Sequence, residues 1–75
     1  MNCYAKDLKP GYLINGHFEG WLEVKEVKRD RSLAKQALKN SYVTDMTITI
    51  LRRATGETYT EEVNSHHVYK DVVEV

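Results

Sequence analysis

The sequence predicts a small, mainly β domain, a five-stranded barrel or roll with one short helix inserted around residues 31–39. Three observations predict it. Met46, Ile48 and Ile50 alternate with Thr47 and Thr49, a period of two that a strand buried on one side requires. The turn signals Lys9-Pro10-Gly11, Asn15-Gly16 and Ala54-Thr-Gly-Glu57 punctuate the chain between apolar runs, as they do where short strands follow one another. One segment, Asp30 to Asn40, breaks the alternation with Leu33, Ala34, Ala37 and Leu38 at helical spacing.

The chain of 75 residues reads as a single domain, spanning 1–75, whose core leaves a margin of only a few kcal/mol. Cys3 is the only cysteine, so no internal disulfide forms, and a reducing, cytoplasmic setting is expected. The N-terminal Met1-Asn-Cys-Tyr-Ala-Lys-Asp has no apolar run and does not read as a signal peptide. No stretch reaches the roughly 18 apolar residues of a membrane span, so no membrane contact is expected.

Taken in order, Tyr4 to Leu8 is short and amphipathic, and Pro10-Gly11 turns the chain with type II chemistry. Tyr12 to Ile14 is a brief strand. Asn15-Gly16 then signals a tight hairpin, unless the loop runs on through His17-Phe-Glu-Gly20. Trp21 to Val27 is the second strand, with Leu22 and Val24 on one face and Trp21 on the other. Val27 joins the inner face only if a bulge near Lys25-Glu26 absorbs one residue. In the helix, Asp30 is the expected N-cap and Asn40 the expected left-handed terminus, and the apolar stripe must dock on the sheet.

The long hairpin is expected to run from Tyr42 to Val63, with Gly56 accepting positive φ at its turn and Glu61 and Glu62 guarding an edge. Asn64-Ser65-His66-His67 reads as a turn. The segment Val68 to Val75, in which Val73 and Val75 share a face, then returns to pair with the first strand and close the sheet.

The Asp7-Leu-Lys-Pro-Gly11 turn, the Trp21-Leu-Glu-Val24 strand, the Thr47 to Arg52 strand and the ending Val73-Glu-Val75 resemble small SH3-like β-barrel proteins of bacterial and phage genomes. Tyr12 stands where that family usually has Asp after the turn, and the segment Asp30 to Asn40 exceeds its usual loop. The resemblance implies an SH3-like barrel and the role of a phage or mobile-element protein that modulates host machinery. Such barrels host peptide binders, nucleic-acid binders and assembly adapters alike.

Residue types for chemistry are present without the spacing that chemistry needs. Cys3, His17, His66 and His67 do not form the paired ligand spacing of zinc, and adjacent histidines in an extended segment point apart. Cys3 or Ser65 with a histidine and Asp45 or Asp71 would supply a nucleophilic set, but no Gly-x-Ser-x-Gly elbow or similar motif presents it. No Gly-rich phosphate loop occurs. The reading is therefore non-catalytic, with no cofactor and no metal.

What remains is a binding surface. Seven aromatic residues are numerous for this length, and residues 25–39 carry six cations against two carboxylates while 54–75 carry one against five. Phe18, Trp21, Lys25, Lys28, Arg29, Arg31 and Lys35 are the expected contact residues. With zero net charge, the expected function is engagement of a protein partner by a monomer or weak homodimer. The alternative is a nucleic-acid binder that uses the basic 25–39 segment, stacking aromatics on bases while cations meet phosphates.

Overall fold

Alternation and turn chemistry translate into seven strands and one helix. In the computed structural model, which describes Met1–Val75, these are β1 (Cys3–Tyr4), β2 (Leu13–Asn15), β3 (Trp21–Arg29), α1 (Ala34–Lys39), β4 (Met46–Arg52), β5 (Thr58–Val63), β6 (Val68–Tyr69) and β7 (Val72–Val73). Short 3₁₀ turns occupy Ala5–Asp7, His17–Glu19 and Arg31–Leu33. Five strands form an antiparallel sheet in the order β5-β4-β3-β2-β7, while β1 pairs separately with β6.

The β3–β4 ladder organises the core. Val24 faces Ile50 and Val27 faces Ile48, with Lys25 the extra residue of a bulge between them. That bulge returns Val27 to the inner face, as the sequence pattern requires. Met46, Ile48 and Ile50 are 3%, 0% and 1% exposed. They join Ile14, Leu22, Val24 and Val72 from the sheet and Cys3, Ala5 and Leu8 from the N-terminal segment. A core of ten residues is small. Truncating Ile48 to Ala would cost about 2–5 kcal/mol, comparable with the whole margin.

The sheet does not close into a barrel. The last segment does return to the brief strand β2, but the ladder holds only Ile14 opposite Val72 and Leu13 opposite Val73. Two pairs are too few to carry β7 across to β5, so both remain edges. On its other side Val72 exchanges backbone hydrogen bonds with Met1, at 2.8 and 3.0 Å. Pairing with Ile14 turns Val72 inward, which leaves Val73 and Val75 exposed.

Two local expectations are corrected, and a third is resolved in favour of its longer loop. The hairpin begins at Met46 rather than Tyr42, because residues 40–45 form a loop. The Asn15-Gly16 pair does not make a two-residue turn. Asn15 Oδ1 accepts the His17 N–H at 2.9 Å, and the loop continues to Gly20, with Gly16 N donating to Gly20 O at 2.9 Å. Asn40 lies at φ −138°, ψ 112°, an extended conformation rather than a left-handed cap. Its Oδ1 instead accepts the Tyr42 N–H at 2.9 Å, the local bond by which an Asn side chain bends the chain.

Asp30 caps the 3₁₀ turn Arg31–Leu33 rather than α1 itself, which begins at Ala34 after Leu33 with no side-chain cap. The helix also docks differently from expectation. Asp30 Oδ1 accepts both Ser32 N and Ser32 Oγ, at 3.0 and 2.6 Å. Of the apolar stripe only Ala37 is buried, and Leu38 is 69% exposed. A polar anchor holds the segment instead. The buried Asn64 donates its amide Nδ2 to the carbonyls of Ala37, Asn40 and Val43 at 2.9, 3.2 and 2.8 Å.

Candidate functional site

The Asn64 anchor ties α1 and the loop behind it to the turn that follows β5. Between that loop and the segment Glu62–Val68 lies a cleft of about 600 Å³, within the range of ligand sites. Its lining includes Ala37, Leu38, Tyr42, Val63, His66 and Val68. Leu38, Tyr42 and Val68 are 69%, 91% and 42% exposed. Three large apolar side chains facing water around one concavity cost hydration free energy unless a partner covers them.

The turn that carries Asn64 and His66 into the cleft lining is held by a buried carboxylate. Asp45, whose side chain is wholly buried, accepts the Ser65 N–H at 2.7 Å through Oδ1 and Arg29 Nε at 3.2 Å through Oδ2. Burial alone would push the Asp45 carboxyl up, but hydrogen bonds from Ser65 and Arg29 outweigh it and hold the group below the usual carboxylate range. On β6, Tyr69 donates its hydroxyl to Glu61 Oε2 of β5 at 2.7 Å. Burial first, and then that carboxylate, push the Tyr69 phenol well above its ordinary value.

A Ser, a His and an Asp do meet here, in an order unsuited to acyl transfer. Ser65 Oγ lies 3.3 Å from His66 Nδ1, yet Ser65 is 0% exposed. The Asp45 carboxylate binds the Ser65 N–H and Arg29 rather than the imidazole. In the relay used for hydrolysis the carboxylate orients the histidine and the serine reaches substrate. Cys3 is buried, and its thiol is pushed up by burial and by the Asp7 and Glu74 carboxylates, opposite to what activates a thiolate. No group of three or more His, Cys, Asp or Glu side chains is placed to hold a metal.

The expected contact residues separate into two groups. Trp21, 43% exposed, opens β3, and Phe18 stands fully exposed on the loop before it. Arg29 closes β3, eight residues on and about 26 Å away at strand spacing. The aromatic pair and the basic run are therefore not brought together. Several cations are also engaged already. Lys25 binds Glu23 at 3.0 Å, Lys28 binds Glu26 at 3.0 Å, and Arg29 binds Asp45. Arg31 and Lys35 are exposed and make no ion pair.

Tyr42 is visible in the sequence as one aromatic among seven. Leu38 and Val68 carry no such signal, because each sits in a pattern that reads as buried, a helical stripe and a terminal strand. No protein-family model matches the chain, and no curated protein or solved structure matches it. No helix is long and apolar enough to cross a membrane.

Proposed function

We propose that the protein is a non-catalytic binding module that engages a protein partner through the cleft beside α1. The observation that carries this is the cluster of exposed Leu38, Tyr42 and Val68 around one concavity. A concave apolar site excludes water from its contacts better than Phe18, a single side chain on a convex loop. Buried Ser65 and the buried Cys3, whose thiol is pushed up by burial and by nearby carboxylates, support a non-catalytic role. The SH3-like character, and the setting of a phage or mobile-element protein modulating host machinery, rest on the sequence resemblance.

A second reading, nucleic-acid binding through residues 25–39, is supported by the unpaired cations Arg31, Lys35 and Lys39. It predicts affinity that falls steeply with salt and vanishes on charge reversal. The principal reading is tested by affinity capture from cell lysate. One dominant protein should be recovered by the wild type and by Trp21→Ala, and lost from the Leu38→Ala/Tyr42→Ala variant. Undiminished capture by that double variant, or capture of nothing, overturns it.

A further inference from the structure

The charges around the cleft say more about its occupant. The chain has 11 Lys and Arg residues, and five of them, Lys25, Lys28, Arg29, Arg52 and Arg53, are already paired with carboxylates. The unpaired cations are not scattered evenly. Lys35 and Lys39 lie one turn apart on α1, and Arg31 lies in the 3₁₀ turn that leads into it. All three are exposed. Residues three and four apart are neighbours on a helix surface, so Leu38, on the lip of the cleft, sits directly beside Lys35. The other unpaired cations, Lys6, Lys9 and Lys70, lie on other segments, Lys6 5.8 Å from the Tyr4 ring.

Like charges gathered without partners repel one another, and an anionic ligand relieves that repulsion. We propose that the cleft binds an acidic polypeptide segment, with apolar side chains seated among Leu38, Tyr42 and Val68 and carboxylates facing Arg31, Lys35 and Lys39. This rests on the reading of the cleft as the partner site. A peptide fits better than nucleic acid for two reasons. The exposed Trp21 and Phe18, the side chains best suited to stack on bases, lie at the far end of β3, whereas the cleft mixes Leu38, Tyr42 and Val68 with polar groups that suit a peptide. The carboxylate of Glu62 also lines the cleft, where it would repel a continuous phosphate backbone but not a peptide whose acidic residues are spaced.

The test is selection of a random dodecapeptide library, displayed on beads, against the whole chain and against three variants. Enriched peptides should be rich in Asp and Glu, poor in Lys and Arg, and carry at least one large apolar residue. The best of them should bind at least tenfold more weakly to Lys35→Glu/Lys39→Glu and to Tyr42→Ala, and with unchanged affinity to Trp21→Ala. Lys35, Lys39 and Tyr42 are exposed, so these variants retain the fold, which circular dichroism verifies.

Enrichment of apolar peptides without acidic residues, lost on Tyr42→Ala but not on charge reversal, overturns the charge assignment and leaves the cleft as partner site. Failure to enrich any peptide overturns both. Binding of a labelled 20-mer of dT that is lost in the same variants overturns the proposal in favour of nucleic acid. Dimerisation of the wild type abolished by Lys35→Glu/Lys39→Glu overturns it in favour of a second copy.

Discussion

Asp45 and Ser65 are joined across 20 residues by a hydrogen bond of 2.7 Å between a buried carboxylate and a backbone N–H. The bond ties the entry to β4 to the turn after β5, and Arg29 from the end of β3 completes it. Neighbouring Asn64 ties the same turn to the helix and its loop. The end of β3, the helix with its loop, the entry to β4 and the turn after β5 thus converge on two polar side chains. The cleft is built on that junction.

Asp45→Asn keeps the shape and removes the charge, and it turns an amide donor or a weakened acceptor towards Arg29. Loss of charge-assisted hydrogen bonds should cost about 2 kcal/mol, a fall in Tm of about 10 °C for a domain this small. Because the folded Asp45 carboxyl is depressed, its contribution is present above the unfolded value of about 3.9 and is lost as pH falls through the lower folded value. Urea titrations at pH 7 and pH 2 should therefore show the variant's deficit shrinking in acid. A deficit independent of pH would contradict the assignment.

Tyr69 governs the alkaline side. A phenol raised by folding holds its proton more tightly in the native state, so its stabilisation is complete below about pH 10 and declines as pH climbs beyond that. Tyr12 and Tyr59 are shifted in the same direction, chiefly by burial. The urea midpoint should stay level from pH 7 to 9 and fall above 10. Tyr69→Phe should lose about 1–2 kcal/mol at neutral pH through the bond to Glu61 and show a shallower alkaline fall. An unchanged alkaline slope in that variant would assign the effect elsewhere.

Asn64 holds the loop that carries Tyr42. Replacement by Ala leaves the carbonyls of Ala37, Asn40 and Val43 short of a donor, at a cost of about 1–3 kcal/mol. Asn64→Asp should be worse, since a carboxylate would then face three carbonyl oxygens. Amide exchange across residues 37–43 should accelerate in both variants while β3 and β4 stay protected. Uniform acceleration would mean that the anchor supports the whole domain.

Gly16 tests the loop that replaced the tight turn. A Cβ there would lie 2.6 Å from the Gly20 carbonyl oxygen and 3.2 Å from Leu22 Cδ1. Its φ of −88° is ordinary, so the obstacle is space rather than backbone strain. Gly16→Ala should destabilise the domain by about 1–3 kcal/mol, read as a lower urea midpoint. A neutral effect would show that the loop rearranges freely.

Alternation made β4 and its inner residues legible, and the mismatch between Val24 and Val27 made the bulge legible as well. Both are local regularities, since side chains on a strand point to opposite faces at every step. The caps and turns at Asp30, Gly11 and Gly56 were equally readable, because a side chain bonded to its own neighbours or a glycine at positive φ acts within a few residues. Asn40 is the informative failure. Its sequence context fits a left-handed cap, but Asn64, 24 residues away, draws the Asn40 carbonyl into the amide anchor and the chain leaves extended.

The order of short strands, the inward set Met46, Ile48 and Ile50, the short helix and the surplus of aromatics all follow from residues acting within one or two turns of chain. Closure of the sheet, the exposure of Leu38 and Val68, and the parting of Trp21 from the free cations do not. They depend on which distant groups meet. Val72 bonds to Met1 on its outer side, Asn64 gathers three carbonyls, and Asp45 pairs with Arg29. Buried polar groups must find partners wherever in the chain these lie, and here those long-range partners decided the shape of the cleft.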